Sequence, residues 1–348
     1  MIQKPICCVA GKSGGHIIPC LQFAKKQYHK QNIPLLFIST TAALDKKIIA
    51  QFPEITNHLE LALRNVPYGA WWKLPLFIVS FIQATWKSFW HLKKHTPSCI
   101  ISTGGFVALP VCIAGKLLGI PISLFELNVI PGKAVGILTT LATTVFICFK
   151  ETQSYIKQPC VLTDYPLRFS ETSKNITPQE AKTQLGFSEI PLGQGFGELR
   201  SPGGNLAKKV LLILGGSQGS HFLNNLIQQI PNAVLQTYQV VHQTGAEQVT
   251  ECTDFYARNN ITAQVFAYHD NLALYYQAAD IIICRAGAGT LFEALFFEKQ
   301  TIVIPLETQT TDHQLDNAYA MQRMRPDLFF VLRQGELVKD RELLFKKL

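Results

Sequence analysis

The sequence predicts an α/β protein made of two doubly wound, Rossmann-like domains, and three observations carry that expectation. Ten short, near-continuous apolar runs alternate with helix-length amphipathic segments, as parallel strands covered on both faces would. Two of the runs empty into glycine-rich turns. Pro5-Ile6-Cys7-Cys8-Val9-Ala10 leads into Gly11-Lys12-Ser13-Gly14-Gly15-His16, and Val210-Leu211-Leu212-Ile213-Leu214 leads into Gly215-Gly216-Ser217-Gln218-Gly219-Ser220. At 348 residues the chain exceeds one ordinary core and accommodates two. A buried strand, a turn too tight for side chains and a helix N-terminus make a site for a phosphate or another polar ligand, so the two turns suggest two domains facing one cleft.

Composition narrows the function. An apolar content of 47% with 16% charged residues describes a globular chain. A net charge of +8 points to an anionic partner: nucleic acid, a phosphorylated substrate or an anionic lipid surface. The absence of any Lys/Arg run sets nucleic acid aside. Of nine cysteines, Cys7, Cys8, Cys99, Cys148 and Cys284 sit in apolar runs and no C-x-x-C occurs, so they read as buried thiols in a reducing compartment rather than metal ligands or disulfides. No charged leader followed by a long apolar core opens the chain, so no signal peptide is expected and the protein reads as cytosolic.

In the first half, strands are expected at 5–10, 34–39, 98–102, 121–125 and 144–148; in the second, at 209–214, 238–242, 263–267, 280–284 and 300–305. The apolar rhythm breaks at 160–170, which gives domains of 1–163 and 164–348. Thr177-Pro178-Gln179-Glu180 reads as a capping box with proline at the first helical position. Residues 187–206 lack periodicity and read as a long loop, either a lid or a solvated insertion. All four tryptophans, Trp71, Trp72, Trp86 and Trp90, fall in one window with Lys73, Lys87, Lys93 and Lys94. Its apolar run is too short to span a bilayer, and it is either a helix lying in a membrane interface or a core helix on its own sheet.

The glycine turns are not standard nucleotide fingerprints. No glycine stands at Walker A spacing ahead of Gly11-Lys12-Ser13, and serine at 13 breaks G-x-G-x-x-G. What remains is a loop whose Gly14 and Gly15 admit a ligand to the backbone, with His16 as a general base or a structural helix-start residue. Ser102-Thr103-Gly104-Gly105-Phe106 and Glu126-Leu127-Asn128 also follow strands, where open α/β sheets collect ligands. Arg285-Ala286-Gly287-Ala288-Gly289-Thr290 follows another and can present N–H groups and a helix N-terminus to a diphosphate. Glu293, one turn on, is either an acceptor for ribose hydroxyls or a solvated carboxylate.

G-x-[ST]-G-G-H, S-T-G-G-[FY], G-G-S-Q-G and C-R-[AS]-G-A-x-T-x-x-E, in that order, resemble glycosyltransferase family 28 across most of the chain. The resemblance implies a GT-B fold with the acceptor on the first domain and UDP-GlcNAc mainly on the second. The implied reaction inverts the donor sugar: N-acetylglucosamine moves from UDP-GlcNAc to the 4-hydroxyl of MurNAc in undecaprenyl-diphospho-MurNAc-pentapeptide, in peptidoglycan synthesis. No metal or cofactor is implied, and the chain contains no D-x-D. Donor contacts carried over by motif fall on Ser13, Gly14, Gly15, Asn128, Arg168, Ser217, His269, Ala288, Gly289, Thr290, Leu291, Phe292, Glu293 and Gln314, with His16 as the catalytic residue. The resemblance also places the protein peripherally at the cytoplasmic face of the cell membrane, held to an anionic surface through 71–94. Several positions depart from the family pattern: Lys12, Phe106, Phe125, Leu127 and Tyr165 replace other residues, and one helix-like segment, 335–347, ends the chain.

Overall fold

The structure is a computed structural model that describes residues 4–11, 14–31, 33–64, 66–67, 69, 71–187, 208–216, 218–307 and 313–348, with the side chains of 26–31 set aside. Two compact units divide between Arg168 and Phe169, inside the stretch where the apolar rhythm breaks. Lys12, Ser13, Ser217 and nearly all of the 187–206 loop lie outside the described residues.

The first unit carries β1 (Ile6–Val9), β2 (Leu35–Thr40), β3 (Ile55–Leu61), β4 (Cys99–Ser102), β5 (Ile122–Glu126), β6 (Thr144–Ile147) and β7 (Val161–Leu162). Its helices are α1 (Gly14–Gln31), α2 (Ala43–Ile49), α3 (Leu74–His95), α4 (Ala108–Leu117) and α5 (Lys133–Leu141). The second unit carries β8 (Lys209–Leu214), β9 (Tyr238–Gln243), β10 (Ala263–Phe266), β11 (Ile281–Cys284), β12 (Gln300–Val303) and β13 (Phe329–Val331). Its helices are α6 (Pro178–Gln184), α7 (His221–Ile227), α8 (Asn232–Leu235), α9 (Val249–Arg258), α10 (Ala273–Ala278), α11 (Ala288–Phe296), α12 (His313–Met324), α13 (Gln334–Lys339) and α14 (Glu342–Phe345).

Both sheets are parallel, and both follow the doubly wound order. The first runs β3-β2-β1-β4-β5-β6-β7 and the second β10-β9-β8-β11-β12-β13. The chain therefore reverses direction across the sheet between β1 and β4, and again between β8 and β11, which opens a crevice at the strands' carboxyl ends. All ten expected strands form. β3, β7 and β13 are additional, and they lie toward the sheet edges. The β3 sequence, Ile55-Thr56-Asn57-His58-Leu59-Glu60-Leu61, alternates with polar residues because an edge strand is only half covered, so a search for continuous apolar runs misses it.

Thr177 caps α6 through the expected box: its hydroxyl accepts from the Glu180 N–H while the Glu180 carboxylate accepts from the Thr177 N–H. The segment 335–347 is two helices, not one, since Asp340 leaves helical geometry with φ −140° between α13 and α14. Leu337 and Leu344 from those helices are fully buried in the core of the second unit. All nine cysteines carry free thiols.

Candidate functional site

In each unit, side-chain hydrogen bonds stitch the crevice across. In the first unit, α1 begins at Gly14, and His16 lies half-buried in its first turn. The His16 Nδ1 stands 2.6 Å from the carbonyl of Thr103 in the β4–α4 turn, and the Thr103 hydroxyl returns a bond to the His16 carbonyl at 2.8 Å. A carbonyl can only accept, so Nδ1 carries the proton and the lone pair of the neutral ring sits on Nε2. The turn itself needs glycine at Gly104 and Gly105, whose φ angles are 86° and 81°.

Asn128, at the end of β5, is aimed by a buried carboxylate. Glu126 Oε1 accepts from both the backbone N–H (2.8 Å) and the side-chain amide (3.2 Å) of Asn128, and Oε2 accepts from the Gly132 N–H at 3.3 Å. The Asn128 amide nitrogen is thus committed inward, which turns its carbonyl oxygen the other way. Burial pushes the Glu126 carboxyl up to about 7, against the pull of those hydrogen bonds. Because the folded value lies above the ordinary 4.5, the native protein keeps a proton that the unfolded chain has lost between those values. The native state should therefore lose about 3 kcal/mol as pH rises through that window and stay lower above it. Glu126→Gln should remove this dependence in thermal melts taken between pH 5 and 8; parallel curves for wild type and variant would contradict the assignment. Phe125 and Leu127 are both buried, with Phe125 stacked on Phe146 at 4.7 Å, so these two residues serve the core.

In the second unit the stitch is Arg285, at the end of β11. Its Nε donates to the Ser220 hydroxyl, and its Nη1 to the carbonyls of Ile304 and Pro305 and to the side-chain oxygen of Gln334. One guanidinium thereby ties the 215–220 turn, the 285–290 turn, the end of β12 and the start of α13. Desolvation lowers its pKa to about 10, and among the described residues none of its hydrogen-bond partners is a carboxylate. A buried cation whose hydrogen-bond partners among the described residues are all dipoles makes the edge of this sheet electropositive.

The second glycine turn is fixed by backbone proximity. A Cβ at Gly219 would lie 2.1 Å from the Thr244 carbonyl oxygen, and one at Gly245 would lie 2.5 Å from that of Gln218. Asn224 holds the same crossing from behind by donating to the Thr244 carbonyl, and it accepts from His242, whose other ring nitrogen accepts from the Tyr256 hydroxyl. Burial depresses the His242 pKa to about 3, which keeps the ring neutral within this network.

Ala288, Gly289 and Thr290 form the first turn of α11, which has no acidic residue there to occupy its free N–H groups. Glu293 is 8% exposed, not solvated, and its Oε2 accepts from the Tyr276 hydroxyl at 2.9 Å. Leu291 is fully buried and its N–H bonds the Gly287 carbonyl, so it is a core residue; Phe292 is half-buried. The Gln314 side-chain oxygen accepts from the Leu306 N–H, which leaves its amide nitrogen facing away, without a partner among the described residues. His269 packs against Phe266 and Tyr275, and its Nδ1 accepts from the Asn271 N–H, so the neutral ring carries its proton on Nε2. It is the converse of His16: one histidine is set as an acceptor, the other as a donor. Arg168 is half-buried at the division between the units. Sequence reasoning gave no role to Thr103, Glu126, Arg285 or Tyr276. Thr103, Glu126 and Arg285 stand in strand-end turns that the sequence marks, whereas Tyr276 leaves no signal there.

Helix α3 presents an unusual face. Ser80, Ala84, Ser88 and Leu92, spaced by four, form its buried stripe, and Phe77 and Phe81 pack on Phe106. The opposite side exposes Leu76, Ile78, Val79, Ile82, Trp86 and Trp90, and just ahead of it Trp71 and Trp72 are 80% and 74% exposed. The tryptophan face is therefore not core. No helix among the described residues is long and apolar enough to cross a membrane. Residues 1–168 hold 17 Lys/Arg against six Asp/Glu, whereas 169–348 hold 15 against 18, so the positive excess lies in the unit that bears α3.

This pair of doubly wound units, with glycine turns at each switch point, is the architecture of GT-B glycosyltransferases. The profile for the glycosyltransferase family 28 N-terminal domain matches residues 6–147, and that for the family 28 C-terminal domain matches 210–330. A relative from Thermotoga petrophila, named UDP-N-acetylglucosamine--N-acetylmuramyl-(pentapeptide) pyrophosphoryl-undecaprenol N-acetylglucosamine transferase, is 30% identical over 95% of this chain and 88% of its own. One of the same name from Protochlamydia amoebophila is 31% identical over 91% and 80%. The chain belongs to glycosyltransferase family 28. Among solved structures it resembles MurG of Acinetobacter baumannii (TM-score 0.67, 23% identity, 96% of this chain and 87% of that one). It also resembles a UDP-GlcNAc 2-epimerase from Neisseria meningitidis bound to UDP-GlcNAc (TM-score 0.58, 11% identity, 93% and 92%), a likeness of fold alone.

Proposed function

We propose that this glycosyltransferase moves N-acetylglucosamine from UDP-GlcNAc to the 4-hydroxyl of a polyprenyl-diphosphate-linked muramyl peptide; the names of its relatives give the donor, the sugar and the lipid-linked acceptor for them. The observation that carries the donor half is local to the second unit: a helix N-terminus at Ala288–Thr290 with no side-chain cap among the described residues, and the buried Glu293 carboxylate one turn further on. The N–H groups suit the diphosphate, the carboxylate suits ribose hydroxyls, and the Gln314 amide and the His269 Nε2–H add donors. Ser13, Gly14, Gly15, Asn128, Arg168 and Ser217 complete the proposed donor contacts by resemblance.

In the reaction, the acceptor oxygen forms a bond to the anomeric carbon as the bond from that carbon to the diphosphate breaks on the opposite face, inverting α to β. His16 Nε2 takes the hydroxyl proton. The electron pair leaves on UDP, where the α11 terminus, Ser217 and the field of Arg285 stabilise it. The acceptor's lipid tail stays in the bilayer, so the first domain works at the cytoplasmic membrane surface, with the α3 face inserted and lysines on anionic headgroups.

Glu293→Ala tests the donor half. Calorimetry should show UDP-GlcNAc binding at least tenfold weaker, while the melting temperature falls only by the modest cost of leaving the Tyr276 hydroxyl unpaired. Unchanged affinity in the folded variant would remove Glu293 from the site.

A further inference from the structure

Tyr276 lies on α10 with none of its surface exposed, yet it carries a hydroxyl where phenylalanine would fill the same space. Burying a phenol is costly unless it is hydrogen-bonded, and this one donates to Glu293 Oε2 at 2.9 Å. The ring cannot shift. It stacks on Phe297 with centroids 5.4 Å apart and planes 4° from parallel, and Phe169 meets it edge-on at 5.9 Å. Phe169, the first residue of the second unit, itself packs on Phe297 at 5.2 Å. The phenolic oxygen is thus a fixed point. A glutamate carboxylate by itself rotates broadly about its last torsion, and donation from a fixed phenol sets its plane and holds Oε2 in place.

The geometry points to Tyr276 as the positioning residue for nucleotide recognition: it aligns Glu293 for the ribose, so discrimination between ribose and deoxyribose nucleotides depends on a hydroxyl that never touches the donor. This assignment rests on the donor reading above. It adds a residue on another helix and a specificity that burial alone would not confer, since a side chain that merely filled the core would change stability without changing ligand preference.

Calorimetry with UDP, 2′-deoxy-UDP and 3′-deoxy-UDP on the full-length protein tests it. Wild type should bind at least one deoxy analogue about tenfold more weakly than UDP, whereas Tyr276→Phe should bring the ratio to within about twofold, chiefly by weakening UDP. In a Glu293→Ala background, Tyr276→Phe should change the ratio no further. Leu235→Ala, a core substitution elsewhere in the second unit, should lower the melting temperature and keep the ratio. A folded Tyr276→Phe protein with the wild-type ratio overturns the assignment, and so does one that is merely less stable with that ratio intact. If Glu293→Ala itself keeps the wild-type ratio, the ribose role of Glu293 fails instead.

Discussion

His16→Ala is expected to lower kcat by ~10²–10⁴-fold, the range a general base supplies, while UDP binding stays near normal. The size of the effect follows from the tautomer. Because Nδ1 faces the Thr103 carbonyl at 2.6 Å, the basic nitrogen is Nε2, and no other histidine is among the residues assigned to the acceptor hydroxyl. Alanine also cuts the stitch between α1 and the β4–α4 turn, so the variant alone confounds chemistry with local structure. His16→Asn separates the two: its amide Nδ2 can still donate to the Thr103 carbonyl, but no basic nitrogen remains. Both variants should therefore lose kcat to a similar extent, with His16→Ala alone showing a lower melting temperature. A His16→Asn enzyme within a few-fold of wild type would reduce His16 to a structural helix-start residue.

The second large effect is expected at the membrane. Trp72→Glu combined with Leu76→Glu should abolish co-sedimentation with anionic vesicles while leaving UDP binding unchanged. Trp72 is 74% and Leu76 52% exposed, so replacing them disturbs little of the core. Each places a carboxylate where an apolar group would enter the lipid interface and where lysines would meet anionic headgroups. Wild-type binding should weaken as salt rises, since each basic residue near such a surface contributes about 1 kcal/mol. Trp86 and Trp90 stack edge-on at 5.7 Å, and Lys93 lies 5.0 Å over the Trp90 ring, so charge and aromatic surface form one patch. Vesicle binding that survives the double substitution would move the contact off α3.

Much of this was readable in the sequence because its cause is local. A strand covered on both faces is an apolar run wherever it stands, and a strand-turn-helix with glycines at the turn marks a sheet's carboxyl edge without reference to anything distant. What the sequence concealed has non-local causes. His16 and Thr103 are 87 residues apart, and Arg285 and Ser220 are 65 apart, so neither stitch has a spacing to find. Glu293 admits a functional and a solvated reading in the sequence, because the buried bond it makes to Tyr276 spans 17 residues. The tryptophan window admitted a core and an interfacial reading because the side of α3 that packs is a stripe of small residues, Ser80, Ala84 and Ser88, which is less conspicuous than the aromatic side that does not. β3 was lost for the opposite reason, since its polar alternation is the signature of an edge.

The most direct measurement is turnover with UDP-GlcNAc radiolabelled in the sugar, EDTA present, and a short-chain polyprenyl-diphosphate-linked muramyl peptide as acceptor. Label should move onto the lipid-linked product in a β-linkage, stop when the acceptor is omitted, and proceed without added divalent ion. Label that stays on the nucleotide as an epimerised sugar, transfer only to an acceptor lacking MurNAc, or binding of UDP-GlcNAc with no turnover would contradict the assignment.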